Sequence, residues 1–192
     1  MSSEFIKRYS ESRLKFINIV ADRVPHYGFY VKIKLRLLFE PGRSLVATAG
    51  LTLYEVGTVK EIPGLRKIAA VDGGMADNPR PITYAAAYSS DCVNKATFGE
   101  RETVTIVGKF CESGDILIKQ TQLPPLAIGD VLAVYGTGAY NYSMASQYNR
   151  VPRPAMVLVD GARAAIYPLL RRETYEDLTR CDHHLSPVTD LL

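Results

Sequence analysis

The chain has 192 residues, 47% apolar and 22% charged, ordinary globular proportions that exclude disorder along its whole length. Its 23 basic and 20 acidic residues leave a formal charge of +3, too small and too mixed a surplus to mark a nucleic-acid-binding face. No run reaches the roughly 18 apolar residues of a membrane helix. Residues 1–8 carry no apolar signal core, so a cytoplasmic protein is expected. Three cysteines, Cys92, Cys111 and Cys181, stand far apart with no Cys-x-x-Cys pair. That pattern speaks against a disulfide framework and a structural zinc site, and no metal site is expected.

In chain order, Phe5, Ile6, Tyr9, Leu14, Ile17 and Val20 recur at helical spacing and predict a helix over residues 1 to about 24. Pro25 and Gly28 break that pattern, and residues 31–37 then alternate apolar with basic residues, as a half-buried strand does. A turn follows at Glu40-Pro41-Gly42-Arg43-Ser44. Strands are expected over 45–59, 67–71, 103–108, 131–135, 155–159 and 164–170, rich in β-branched residues and tyrosine and parted by Gly, Pro, Asn and Asp. Short helices are expected over 143–148 and 174–178. The spacing favours a mainly β chain, barrel or sandwich, over alternating βαβ units.

Six clusters set turn residues beside charged or reactive groups. Glu40–Arg43 ends in an arginine whose planar fork suits a carboxylate or phosphate, although a solvated surface turn reads the same way. In the run from Val71 to Tyr84, two glycines allow close approach to a ligand, and Arg80 and Tyr84 can reach an anion. Its plain alternative is an Asp-Gly-Gly hairpin turn. Cys111 lies beside Glu112, whose charge disfavours a thiolate, so a protonated thiol can serve as an acid rather than a nucleophile. Gly136-Thr137-Gly138-Ala139-Tyr140 precedes a short helix but matches no phosphate-loop pattern. The segments 148–155 and 171–178 read alone as a polar connection and a helix start. His183-His184 has no third ligand at useful spacing and reads as a polar tail.

Taken together, the runs EPGRS, VDGGMADNPRPITY, CESGD, GAYNYSMASQYN, RPAMVLVDG and RRETYEDL resemble, in order and spacing, the C-terminal part of the diaminopimelate decarboxylases. These are pyridoxal-phosphate enzymes of the alanine-racemase-like fold type, in which a TIM barrel is followed by a β domain. The resemblance implies a decarboxylase β domain over 35–192, with 1–34 as a helical segment or barrel remnant. It implies pyridoxal 5'-phosphate as cofactor, with Glu40, Pro41, Gly42, Arg43 and Tyr140 contacting it. Arg43, Arg80, Tyr84, Glu112 and Tyr140 are implied as substrate contacts, and Cys111 as the acid that returns a proton to the substrate, offered across a homodimer interface. The implied reaction converts meso-2,6-diaminopimelate to L-lysine and carbon dioxide.

The family's Schiff-base lysine belongs to its first half, which this chain does not contain. Lys32 and Lys34 stand at the wrong position relative to EPGR to replace a lysine that needs its own desolvated pocket. Three readings remain open: a decarboxylase fragment completed by a barrel-bearing partner chain, a non-catalytic dimerising or regulatory β domain, and a decarboxylase of another diamino acid.

Overall fold

The computed structural model describes residues 42–96 and 98–183, which belong to the unit Pro41–Leu192. The expected N-terminal helix, the strand over 31–37, the boundary at 34/35, Glu40, Pro41 and His184 lie outside the described residues. The chain enters through a single helical turn, α1 (Arg43–Val46), and a 3-10 turn over Ala47–Ala49. Strands β1 (Leu51–Ile62), β2 (Arg66–Val71), β3 (Ser90–Cys92), β4 (Glu102–Val107), β5 (Ile116–Leu123) and β6 (Val131–Tyr135) form one sheet in the order β3-β6-β1-β2-β4-β5. A short helix, α2 (Arg80–Tyr84), sits between β2 and β3. A separate hairpin of β7 (Met156–Asp160) and β8 (Ala165–Leu170) leads into α3 (Tyr175–Thr179). The mainly β expectation holds. Among the described residues no helix is long and apolar enough to cross a membrane.

The sheet curls until its two edge strands share one core. Cys92 of β3 and Leu117, Ile118 and Leu123 of β5 pack in the same cluster as Tyr54, Val56, Ala69, Ile106, Leu132 and Val134. β1 alternates, with Tyr54 and Val56 inward and Leu51, Leu53 and Glu55 outward, as period-2 side chains require. β6 instead buries Leu132, Ala133 and Val134 in succession, the mark of a strand covered on both faces.

Directions place the site. β2 and β6 both run antiparallel to β1, and β4 runs parallel to β2. The chain therefore leaves β2, β4 and β6 at one end of the sheet, the same end at which α1 feeds into β1. Arg43, the loop from Asp72 to Tyr84, the loop around Cys111 and the turn through Tyr140 all belong to that end.

Three expectations need correction. Residues 45–50 are not strand: Leu45 and Val46 are helical, and β1 begins at Leu51. Their apolar, β-branched pattern suits a strand, but the carbonyls of Ala47 and Gly50 accept from the amides of Gly138, Gly136 and Thr137 instead of from a neighbouring strand. A Cβ on Gly50 would come within 2.4 Å of Gly138 Cα, so the two loops meet as bare backbone. Second, β3 and β5 had no counterpart in the pattern. β3 is only three residues long, and the second half of β5, Lys119-Gln120-Thr121-Gln122, is polar because it is an edge facing water. Third, the segment 143–148 is two 3-10 turns, Tyr142–Met144 and Tyr148–Arg150, rather than one helix.

The hairpin base is clamped by charge. Glu173 accepts from Arg153 N and Nε, both at 2.9 Å, from Arg153 Nη2, and from Gln147 Nε2 at 3.1 Å. These donors, the Arg153 side chain first, hold the Glu173 carboxyl at about 2 against an ordinary 4.5. A depressed carboxyl stabilises the fold above its unfolded value and loses that contribution as pH falls through the folded one. Glu173→Gln should therefore lower stability near neutrality by about 1–2 kcal/mol. The gap from the parent should close between pH 4.5 and 2, as read by urea unfolding at stepped pH. In the same assay, Leu132→Ala, at a fully buried site, should cost about 3 kcal/mol. Leu158→Ala, on the half-exposed hairpin, should stay within about 0.5 kcal/mol.

Candidate active site

Three distant motifs converge on an arginine-rich cradle. Arg43, at the start of α1, donates from Nη2 to the Gly136 carbonyl at 3.4 Å, and its guanidinium stands 5.7 Å from the Tyr88 ring. Arg80 opens α2, where Pro79 and Pro81 set the first turn because their fixed φ suits a helix start. Its guanidinium lies 4.9 Å from the Tyr84 ring and 5.9 Å from the Tyr140 ring. Tyr140 adopts a left-handed φ of 59°, a strained conformation for a bulky residue that recurs at binding sites. Its hydroxyl lies against Gly42, where a Cβ would approach to 2.2 Å; the residue before Arg43 must be glycine for this packing. Tyr140 thus stands against both Gly42, the neighbour of Arg43, and Arg80, which rests on Tyr84.

The cradle is incomplete as a hydrogen-bonding system. Arg43 Nη1 and Arg80 Nε are buried with no acceptor. Buried guanidinium nitrogens without partners are costly, and an anionic oxygen bound at either one removes its share of that cost. The donor set suits a phosphate or carboxylate, so the residues present fit a phosphorylated cofactor and a carboxylate-bearing substrate.

The second expected pair, Cys111 and Glu112, tops the β4–β5 loop. Both side chains are exposed. The Tyr148 hydroxyl donates to Glu112 Oε1, and this bond, with the nearby negative charge, raises the Tyr148 phenol above its ordinary value. Phe110 packs edge-on against the same ring at 5.8 Å. Tyr148 lay in a segment read only as a polar connection, and nothing local in the sequence pairs it with Glu112. Among the described residues, no hydrogen bond or ring contact links Cys111 or Glu112 to the arginine cradle. The loop does abut α2, since a Cβ on Gly114 would meet Ile82 Cδ1 at 2.6 Å.

Beneath these groups lie two carboxylates, Asp115 buried and Asp77 half-buried. Asp77 accepts from Gly74 N at 2.8 Å and from the Tyr54 hydroxyl. Asp115 accepts from Met75 N at 2.7 Å and Phe110 N at 3.0 Å. Burial pushes both carboxyls up, and the backbone donors oppose it. The Asp-Gly-Gly stretch is no hairpin turn: β2 pairs with β1 and β4, and the stretch leads into α2. The fifth and sixth clusters serve structure. Arg153 pairs with Glu173, Arg171 with Asp177, and Thr174 and Asp177 form a capping box on α3. A cleft lined by Tyr54, Asp77, Lys109, Phe110 and Arg153 contains none of the implied site residues. Among the described residues, no group of three His, Cys, Asp or Glu is placed to hold a metal ion.

Residues 17–138 match the family described as pyridoxal-dependent decarboxylase, C-terminal sheet domain. The diaminopimelate decarboxylase of Bacillus subtilis is 49% identical over 168 residues, 88% of this chain and 37% of the relative. That of Synechocystis is 53% identical over 147 residues, 77% of this chain and 31% of the relative. Among solved structures, diaminopimelate decarboxylase from M. jannaschii in complex with L-lysine superposes with a TM-score of 0.70 at 41% identity, covering 76% of this chain and 32% of that one. The Helicobacter pylori enzyme with L-lysine gives 0.67 at 36%, covering 78% and 36%. The chain thus spans about a third of the length of the relatives it matches. With the sheet order, the convergence of the motifs and these likenesses in agreement, the chain belongs to the pyridoxal-dependent decarboxylases, through their C-terminal sheet domain.

Proposed function

We propose that this chain is the C-terminal part of a diaminopimelate decarboxylase, releasing carbon dioxide from meso-2,6-diaminopimelate to leave L-lysine. In this reading the barrel portion of the enzyme supplies the Schiff-base lysine, and the working unit is dimeric. The carrying observation is the pair of buried, acceptorless nitrogens on Arg43 and Arg80, brought together from motifs 37 residues apart, with Tyr140 between cradle and glycine. Pyridoxal 5'-phosphate, when bound, supplies an electron sink for the electrons left behind by carbon dioxide.

The chain's own residues then have separate tasks. Gly42 and Tyr140 bring backbone and hydroxyl up to the cofactor, joined by Glu40 and Pro41 of the same motif. Arg43 holds the phosphate end and helps orient a substrate carboxylate. Arg80, stacked on Tyr84, fixes the carboxylate at the distal end of the substrate. Glu112 accepts the distal ammonium through Oε2, the carboxylate oxygen that Tyr148 leaves free. Cys111 Sγ carries the proton that the product carbon receives. A substrate charged at both ends explains why one arginine cradle and one exposed carboxylate occur together, which favours diaminopimelate over a diamino acid lacking the distal carboxylate.

The hairpin supports the need for a partner. Val157, Leu158, Val159, Ile166, Tyr167 and Leu169 are all exposed. A two-stranded hairpin uncovered on both faces is marginal in water, and apolar exposure of this kind marks an interaction surface.

Mixing the chain with a separately produced barrel half and pyridoxal phosphate should restore carbon dioxide release from diaminopimelate. Arg43→Lys should cut that activity roughly 10- to 100-fold through loss of the bidentate fork. Cys111→Ala should lower kcat by about 100-fold or more with little change in KM. Binding of the two halves without any release of carbon dioxide would overturn the catalytic reading in favour of a non-catalytic regulatory domain.

A further inference from the structure

We propose that Asp115 is a positioning residue whose buried carboxylate welds the loop bearing Cys111 and Glu112 to the loop that leads to Arg80. The proposal rests on the reading of Cys111 and Glu112 as proton donor and ammonium site, and it adds the group that aims them.

The bonding is concentrated on this one side chain. Asp115 Oδ1 accepts from Met75 N at 2.7 Å, on the loop after β2. Asp115 Oδ2 accepts from Phe110 N at 3.0 Å, on its own loop. Its backbone closes the same loop: Gly108 N donates to Asp115 O at 2.9 Å, and Asp115 N donates to Glu112 O at 3.0 Å. A second tie between the loops runs from Lys109 N to Gly73 O at 3.0 Å. Residues 111–114 form the apex, and four of the hydrogen bonds beneath them run to Asp115.

The space for the carboxylate exists only because two neighbours lack a Cβ. At Gly108 a Cβ would stand 2.1 Å from Asp115 Oδ2, and at Gly74 2.6 Å from the same atom. Asp77 anchors the far side of the weld by accepting from Gly74 N and from the core hydroxyl of Tyr54. A continuous path therefore runs from β1 through Tyr54, Asp77, the Gly74–Met75 backbone, Asp115 and Phe110 to Cys111. A buried carboxylate satisfied by backbone donors is rigid, because releasing either amide leaves a buried donor without an acceptor. Asp115 faces none of the arginines of the cradle, and its effect on chemistry passes through the two residues above it.

The Tyr148–Glu112 bond is a reporter that needs no reaction. In the full chain labelled with 13Cζ-tyrosine, the Tyr148 resonance, assigned by Tyr148→Phe, should titrate above an ordinary tyrosine. Asp115→Asn puts an N–H against an N–H. Gly108→Ala displaces the carboxylate by bulk and leaves its charge intact. Both should return the Tyr148 midpoint toward the ordinary value. In a Cys181→Ser background, both should also change the rate of Cys111 alkylation by iodoacetamide severalfold as the apex loses its fixed position. Leu123→Ala, fully buried at the far end of β5, should move neither readout. Folded variants with an unchanged Tyr148 midpoint and alkylation rate would overturn the proposal. If neither variant folds, amide exchange in the parent decides: slow exchange at Met75 and Phe110, as in β4, supports the weld, and exchange as fast as at residues 111–114 overturns it. A failure of the complemented chain to release carbon dioxide would count against the decarboxylase reading alone, since none of these readouts uses turnover.

Discussion

The twelve residues of β1 have to serve two halves of the sheet at once. Leu51 to Glu55 pair with β6, and Thr58 to Ile62 pair with β2, with a register shift between Val56 and Thr58. At the shift, Val56 turns its backbone to the β5–β6 connection, donating to Asp130 O and accepting from Gly129 N, both at 2.8 Å. A strand that changes partners across such an irregularity bends and twists, and this bend curls the six strands until β3 and β5 face a common core. Strand direction sends the loops after β2, β4 and β6 to one end, and the bend gathers them there instead of spreading them along a flat edge. The candidate site is a consequence of how β1 divides its pairing.

Charge is used in two ways, and the difference separates scaffold from site. Scaffold charges are saturated. Glu173 takes the Arg153 side chain and backbone together, Asp177 takes Arg171 and caps α3, and Asp130 is held low by the hydrogen bonds of Lys95, Ala127 and Asn94 against its burial. The site arginines are not saturated. Arg43 and Arg80 rest against tyrosine faces, which hold a guanidinium in place without occupying its N–H groups, and each keeps one buried nitrogen open. Two aspartates below the site form a third group. Asp77 and Asp115 are spent on backbone amides and on Tyr54, and they lock loops rather than bind ligands.

Much of the frame was legible from residue pattern. The expected strands over 67–71, 103–108, 131–135 and 164–170 correspond to β2, β4, β6 and β8 within a residue or two, because each holds β-branched or aromatic residues bounded by turn signals. Pattern failed where pairing was not apolar. β5 carries Lys119 and Gln120 on a water-facing edge, and residues 45–50 look like strand yet spend their carbonyls on the Gly136–Gly138 backbone. The motifs were also legible, and the fold sets Tyr140 against both Gly42 and Arg80, with Arg80 on Tyr84.

By itself, the sequence determined the class of chain, the strands whose alternation is local, and which residue types could handle anions, an ammonium and a proton. Those are properties of short segments and of composition. Only the tertiary structure decided which charges were free. Nothing in RRETYEDL distinguishes Arg171 from Arg80, yet one is tied to Asp177 and the other keeps a buried N–H open. Nothing local marks Tyr148 as the partner of Glu112, 36 residues away, or Asp115 as the acceptor for Met75, 40 residues away. The reason is physical: whether a polar group is available depends on what the fold places within 3 Å of it, and no periodicity in the chain encodes that distance.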